Sequence, residues 1–195
     1  MKPAEMPVTV KHPTLPTINL ASAEKGIVAA LDSAFSEVGF CICYNAYLDP
    51  ESRESAFAAS RAFHKLPLSV KNSYAINSAH RGYISPKSST SRTSSIAKVQ
   101  RPNTSESFML MHEVLEKDPR LGNPLQGPNQ GPQEVPGFQD KMTAYWQDVN
   151  CTARKLAKLC LKALGIEIGL YEAWFRQPTE FLRLHHYWPE VQEEP

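Results

Sequence analysis

The chain has 195 residues, enough for one large domain or two small ones, and 42% of them are apolar, enough for a real core. A formal charge of +1 supplies no global field towards nucleic acid or a membrane surface. No apolar run approaches the ~18 residues of a membrane span, and the proline-rich start has no apolar segment of the secretory kind.

Met1 to Pro16 carries four prolines and reads as an extended arm. TINL, Thr17 to Leu20, is a short strand. Ser22 is placed to cap a helix from Ala23, whose stripe is Ile27, Leu31, Ala34, Phe35 and Val38. Gly39 ends it, and FCICY, Phe40 to Tyr44, reads as a buried strand. Strand, helix and strand on short connections predict an α/β unit. Asp49 caps the next helix, with Pro50 at its first position, where a missing N–H costs little. LPLSVK, Leu66 to Lys71, starts a short turn. In HRGYISP, His80 to Pro86, Gly82 marks a bend into an extended piece.

Ser85 to Ser95 is low in complexity and reads as a surface loop. From Val70 to Ser105 there are six Lys or Arg and no Asp or Glu. That leaves open an anion-binding use of segment 85–101, although no aromatic is interleaved for base stacking and nucleic acid is not the expected partner. SESFMLM, Ser105 to Met111, is strand-like. Lys117 to Pro136 is rich in Pro, Gly, Asn and Gln and predicts ordered turns.

Phe138 to Gly165 has no internal glycine and no proline. Met142, Tyr145, Val149, Ala153, Leu156, Cys160 and Leu164 follow at steps of three and four, one stripe of a helix of ~27 residues and ~40 Å. Gly137 precedes it and Gly165 follows it. Tyr171 to Phe175 makes a short helix, and FLRLHHY, Phe181 to Tyr187, reads as a strand. The fold class is therefore α/β (α+β), with an arm at 1–16, a first domain at 17–136 and a long helix with further strands at 137–195.

Spacing alone names no chemistry. The six histidines stand in no H-x-D, H-x-E or H-E-x-x-H pattern. His185 and His186 point to opposite faces if they lie on a strand. Cys41, Cys43, Cys151 and Cys160 form no CxxC pair, which fits reduced thiols in a cytoplasmic protein.

Several stretches taken together resemble the N-terminal half of the isopenicillin N synthase-like iron(II)- and 2-oxoglutarate-dependent dioxygenases. PTINL resembles the opening "P-x-I-D-L", with Asn19 for Asp. AFSEVGFCICYN, FHKLPLSVK, HRGYISP and SESFMLMHE resemble its next segments. GNPLQGPNQGPQEVPGFQDKMTAYW resembles the family loop and helix start, with Gly131 where the family has tryptophan. FLRLHHYWPE resembles "l-R-l-l-H-Y-P-p", with Trp188 for proline. The matches fall in order over about nine-tenths of the chain.

The resemblance implies the first strands of a double-stranded β-helix (jelly roll) backed by the long helix. It implies oxidation of a small organic substrate with O₂, iron(II) and 2-oxoglutarate, releasing succinate and CO₂. The family's iron ligands, an H-x-D pair and a distant histidine, would follow the last strand, so the 195 residues are expected to hold no metal or cosubstrate alone and to be inactive. Tyr187 matches a tyrosine that turns towards cosubstrate or substrate. Arg81 and Tyr83 match a segment that reaches over the substrate pocket. A monomer is the expected state of the complete protein. A non-catalytic binding module, or a truncated product, stands as the alternative.

Overall fold

The computed structural model describes residues 14–88 and 104–188. It has the expected mixture of helices and strands, divided into two compact units. Of the described residues, 14–47 and 149–176 belong to the first, and 48–88, 104–148 and 177–188 belong to the second. Most of the arm and all of 89–95 in the Ser-rich loop lie outside the described residues.

In the first unit, β1 (Thr17–Asn19) pairs in parallel with β2 (Ile42–Tyr44), and α1 (Glu24–Glu37) connects them. The helix begins one residue later than expected. Ala23 is its N-cap, and no side chain caps it, Ser22 included. Gly39 ends the helix region at φ +82°, a left-handed conformation that glycine reaches without a Cβ clash. Ile18, Leu20, Ile27, Leu31, Ala34 and Leu159 form the buried core. FCICY is not the buried strand that its apolar run suggests: Phe40, Ile42 and Tyr44 are exposed, and only the Cys41 and Cys43 side packs on the core. Phe35, expected in the α1 stripe, is exposed as well.

The long helix is α4 (Phe138–Ala163). Its residues to Asp148 belong to the second unit and the remainder to the first. Within the first unit, Lys155 Nζ donates to the Leu20 carbonyl at 2.9 Å, and Lys162 pairs with Glu24 at 2.5 Å. A short α5 (Ile168–Trp174) completes this unit.

The second unit holds α2 (Pro50–His64), α3 (Leu68–Ser73) and an antiparallel sheet in the order β3 (Gly82–Ile84), β4 (Glu106–Met111), β5 (Phe181–His186). Asp49 caps α2 as its sequence requires, its carboxylate accepting from the Ser52 N–H at 2.7 Å. β4 is the central strand and is buried on both faces. The register aligns Tyr83, Phe108 and Leu184, so their side chains share one face. Phe63 of α2 sits on that face, its ring 4.7 Å from Phe108, 5.9 Å from Tyr83 and 6.1 Å from Phe138. Ala56, Ala59, Leu110, Val135 and Met142 fill the rest of this core.

Two polar side chains finish the sheet. Asn129 pairs with both main-chain groups of Met111, giving to the carbonyl at 2.7 Å and taking from the N–H at 2.9 Å, as a neighbouring strand would. Gly82 stands at φ +120°, and a Cβ there would overlap the Tyr74 carbonyl oxygen and the Gln130 amide. Only glycine fits this crossing.

Candidate functional site

The second unit buries a carboxylate among four donors. Glu106 is the first residue of β4, and its side chain is 1% exposed. Its Oε1 lies 3.0 Å from Nδ1 of His64, at the end of α2, and 3.0 Å from Nδ1 of His186, at the end of β5. Its Oε2 takes the Lys71 ammonium of α3 at 2.6 Å and the Tyr83 hydroxyl of β3. Five elements meet at one carboxylate.

The protonation states follow from the partners. Burial would push the Glu106 carboxyl up, but hydrogen bonds from Lys71, Tyr83 and His186 outweigh it and hold the group down at about 2. Glu106 is therefore an anion and can only accept, so both Nδ1 atoms carry protons. Burial lowers the His64 pKa, against the pull of Glu106, so its ring is neutral. Its Nε2 is then a bare acceptor, buried with no hydrogen-bond partner among the described residues. Burial, and then Glu106, raise the Tyr83 pKa, so it stays a phenol.

Two imidazoles and a carboxylate are a donor set that iron(II) accepts, and their ligand atoms lie within 4.8 Å of one another. They nevertheless do not fit a divalent ion. Lys71 already balances the charge of Glu106. An added M²⁺ would leave a net charge of +2 in a largely buried cluster with no second carboxylate, a large desolvation cost. The His64 Nε2 also lacks the acceptor that orients a ligating imidazole. The cluster is a charge-neutral hydrogen-bond clamp.

The residues singled out from the sequence lie in different settings. Arg81 is 0% exposed. Its Nη1 donates to the carbonyls of Ala79 and, at 2.8 Å, Leu125; its Nη2 donates to the His112 carbonyl at 2.8 Å. Its fork clamps the 112–125 chain onto β3. Tyr83 is 2% exposed, with its hydroxyl on Glu106. Neither side chain meets open space in this structure. Tyr187 is 66% exposed, its ring stacked on His185 at 5.7 Å. His185 and His186 diverge as a strand requires, and only His186 reaches Glu106. His64, Lys71 and Glu106 carry no signal of their own in the sequence, because the side chains around the carboxylate are 23 to 80 residues away from it.

The model of the family described as "non-haem dioxygenase in morphine synthesis N-terminal" matches residues 15–134. Among curated proteins, azadirone synthase LFS of Melia azedarach is 29% identical over 77% of this chain and 43% of its own length. The 2-oxoglutarate-dependent dioxygenase eupC of a Phoma species is 24% identical over 94% of this chain and 63% of its own length. The chain thus spans roughly half the length of the curated relatives it matches. Among solved structures, a 2OG-Fe(II) oxygenase family protein of Caulobacter crescentus aligns with a TM-score of 0.78 at 20% identity, over 92% of this chain and 58% of that one. A full-length Neurospora crassa protein in complex with alpha-KG aligns with a TM-score of 0.70 at 23% identity, over 89% and 54%. At these identities the two structures show the fold. The family model covers more than half of the residues, and the chain therefore belongs to the non-haem dioxygenase family, whose N-terminal part it carries.

Proposed function

We propose that this chain is the N-terminal portion of an iron(II)/2-oxoglutarate-dependent oxygenase that oxidises a small organic substrate with O₂ and releases succinate and CO₂. The family match over residues 15–134, on a fold shared with 2OG-Fe(II) oxygenases, carries the reading. In it, the described residues build a wall. Glu106 ties β5 to α2, α3 and β3, so the strand that ends at His186 is held fixed before the chain continues. Tyr187, one residue past that anchor and stacked on His185, is the group that would face cosubstrate. Iron would be held by residues following β5, and no reaction step is drawn through the Glu106 cluster. The four cysteines are free, in keeping with a cytoplasmic protein. No helix among the described residues is long and apolar enough to cross a membrane.

A binding module using segment 85–101 gains nothing from the structure, since only 85–88 of it are described. The test is succinate release from 2-oxoglutarate with Fe(II) and O₂. The 195 residues alone are expected to release none. The same chain extended by its downstream reading frame is expected to turn over if that frame encodes an H-x-D pair and a distal histidine. Succinate from the 195 residues alone would overturn the assignment of iron to later residues. An extension without those ligands would overturn the oxygenase reading.

A further inference from the structure

We propose that the pocket between α2, Tyr145 of α4 and β5 binds an organic monocarboxylate with an apolar body. The cavity measures about 490 Å³, and all its lining residues belong to the second unit. Ligand pockets span roughly 300–1,000 Å³. Its apolar lining is Phe57, Tyr145, Leu182 and Leu184, with the two rings edge to face at 6.3 Å. Such a surface takes a flat or branched hydrocarbon body.

The sign of the polar part follows from the charges. Arg61, Lys65 and Arg183 line the cavity, and no Asp or Glu does. Arg61 is engaged by Glu54 at 2.6 Å. Lys65 makes no side-chain hydrogen bond or ion pair among the described residues. Arg183 uses Nε on Ser107 Oγ at 2.9 Å, which leaves its terminal nitrogens for a planar acceptor. At the inner end, His64 and His186 already turn their Nδ1 protons to Glu106. A cationic ligand meets no counter-charge here. A neutral apolar ligand leaves the cations unanswered. 2-Oxoglutarate has a second carboxylate and no apolar body, so it would leave the hydrophobic lining wet. The proposal does not rest on the oxygenase reading, because every residue it uses lies in this chain.

The experiment is calorimetric titration of the 195-residue protein at low salt with 2-naphthoate, 2-naphthamide and 2-oxoglutarate. Saturable one-to-one binding of 2-naphthoate is expected, with the amide and 2-oxoglutarate each weaker by about tenfold or more. Lys65→Gln or Arg183→Gln is expected to weaken 2-naphthoate by about threefold or more without changing the affinity for the amide. Lys65 is exposed, so Lys65→Gln tests the charge without disturbing the Arg183–Ser107 bond. No saturable binding, equal affinity for acid and amide, equal or tighter binding of 2-oxoglutarate, or parental affinity in both variants would each overturn the proposal.

Discussion

The Lys71 ammonium lies 2.6 Å from Glu106 Oε2, and their side chains are only 8% and 1% exposed. A buried pair of this kind is weak evidence for net stability, because both ions have left water. Removing one partner is a different matter, since the other then stays buried and unbalanced. Glu106→Gln is expected to destabilise the chain by roughly 3–5 kcal/mol. Replacing both, Lys71→Met with Glu106→Gln, should recover part of that loss. Urea unfolding of the two singles and the double closes the cycle; strictly additive losses would show that the two side chains do not act together.

Acid should unfold the protein in a defined window. The folded Glu106 carboxyl sits at about 2, below its ordinary value of 4.5, so the unfolded chain binds more protons between the two. This stability is fully present above 4.5 and is lost as the pH falls towards 2. The buried His64, with its pKa also lowered, works in the same direction from 6.5 downwards. Unfolding free energy measured against pH should fall in both ranges, and Glu106→Gln should flatten the lower one. An unchanged lower limb in that variant would contradict the assignment.

Arg81 spends both terminal nitrogens on carbonyls 31 and 44 residues further along the chain. Lysine cannot reproduce that fork. Arg81→Lys is therefore expected to cost about 2–3 kcal/mol and to expose the 112–130 segment, with faster proteolysis there than elsewhere. Loss of stability without faster cleavage in that segment would mean that the clamp does not hold it.

Added Zn²⁺ or Fe²⁺ should leave the melting temperature of the 195 residues unchanged, as should a chelator, because a ligand stabilises only the state it binds. A rise of several degrees on adding metal, abolished by Glu106→Gln, would make the His64–Glu106–His186 set a true metal site.

Local chemistry makes much of the fold readable. Asp49 and Pro50 announce the start of α2, and Gly39 and the glycines flanking α4 mark helix ends because few other residues serve there. Alternation predicts that His185 and His186 part, and they do. What stays hidden depends on distance along the chain. Nothing near Glu106 shows that His64, Lys71, Tyr83 and His186 will surround it. A bend at Gly82 does not tell whether the neighbouring Arg81 points to water or to carbonyls. The apolar run FCICY predicts burial, yet a two-stranded sheet covered on one side leaves Phe40, Ile42 and Tyr44 outside.

Among the described residues β5 pairs with β4 alone, so half of its edge groups have no strand beside them. Successive amides of a strand point to opposite sides, and this asymmetry can be read with deuterium. The amides turned to β4 should keep their protons, and the alternate ones should exchange quickly. A segment that later seats against the free edge, from the same chain or another, would slow only the fast set. β5 thus carries its own isotopic record of whether a neighbour has arrived.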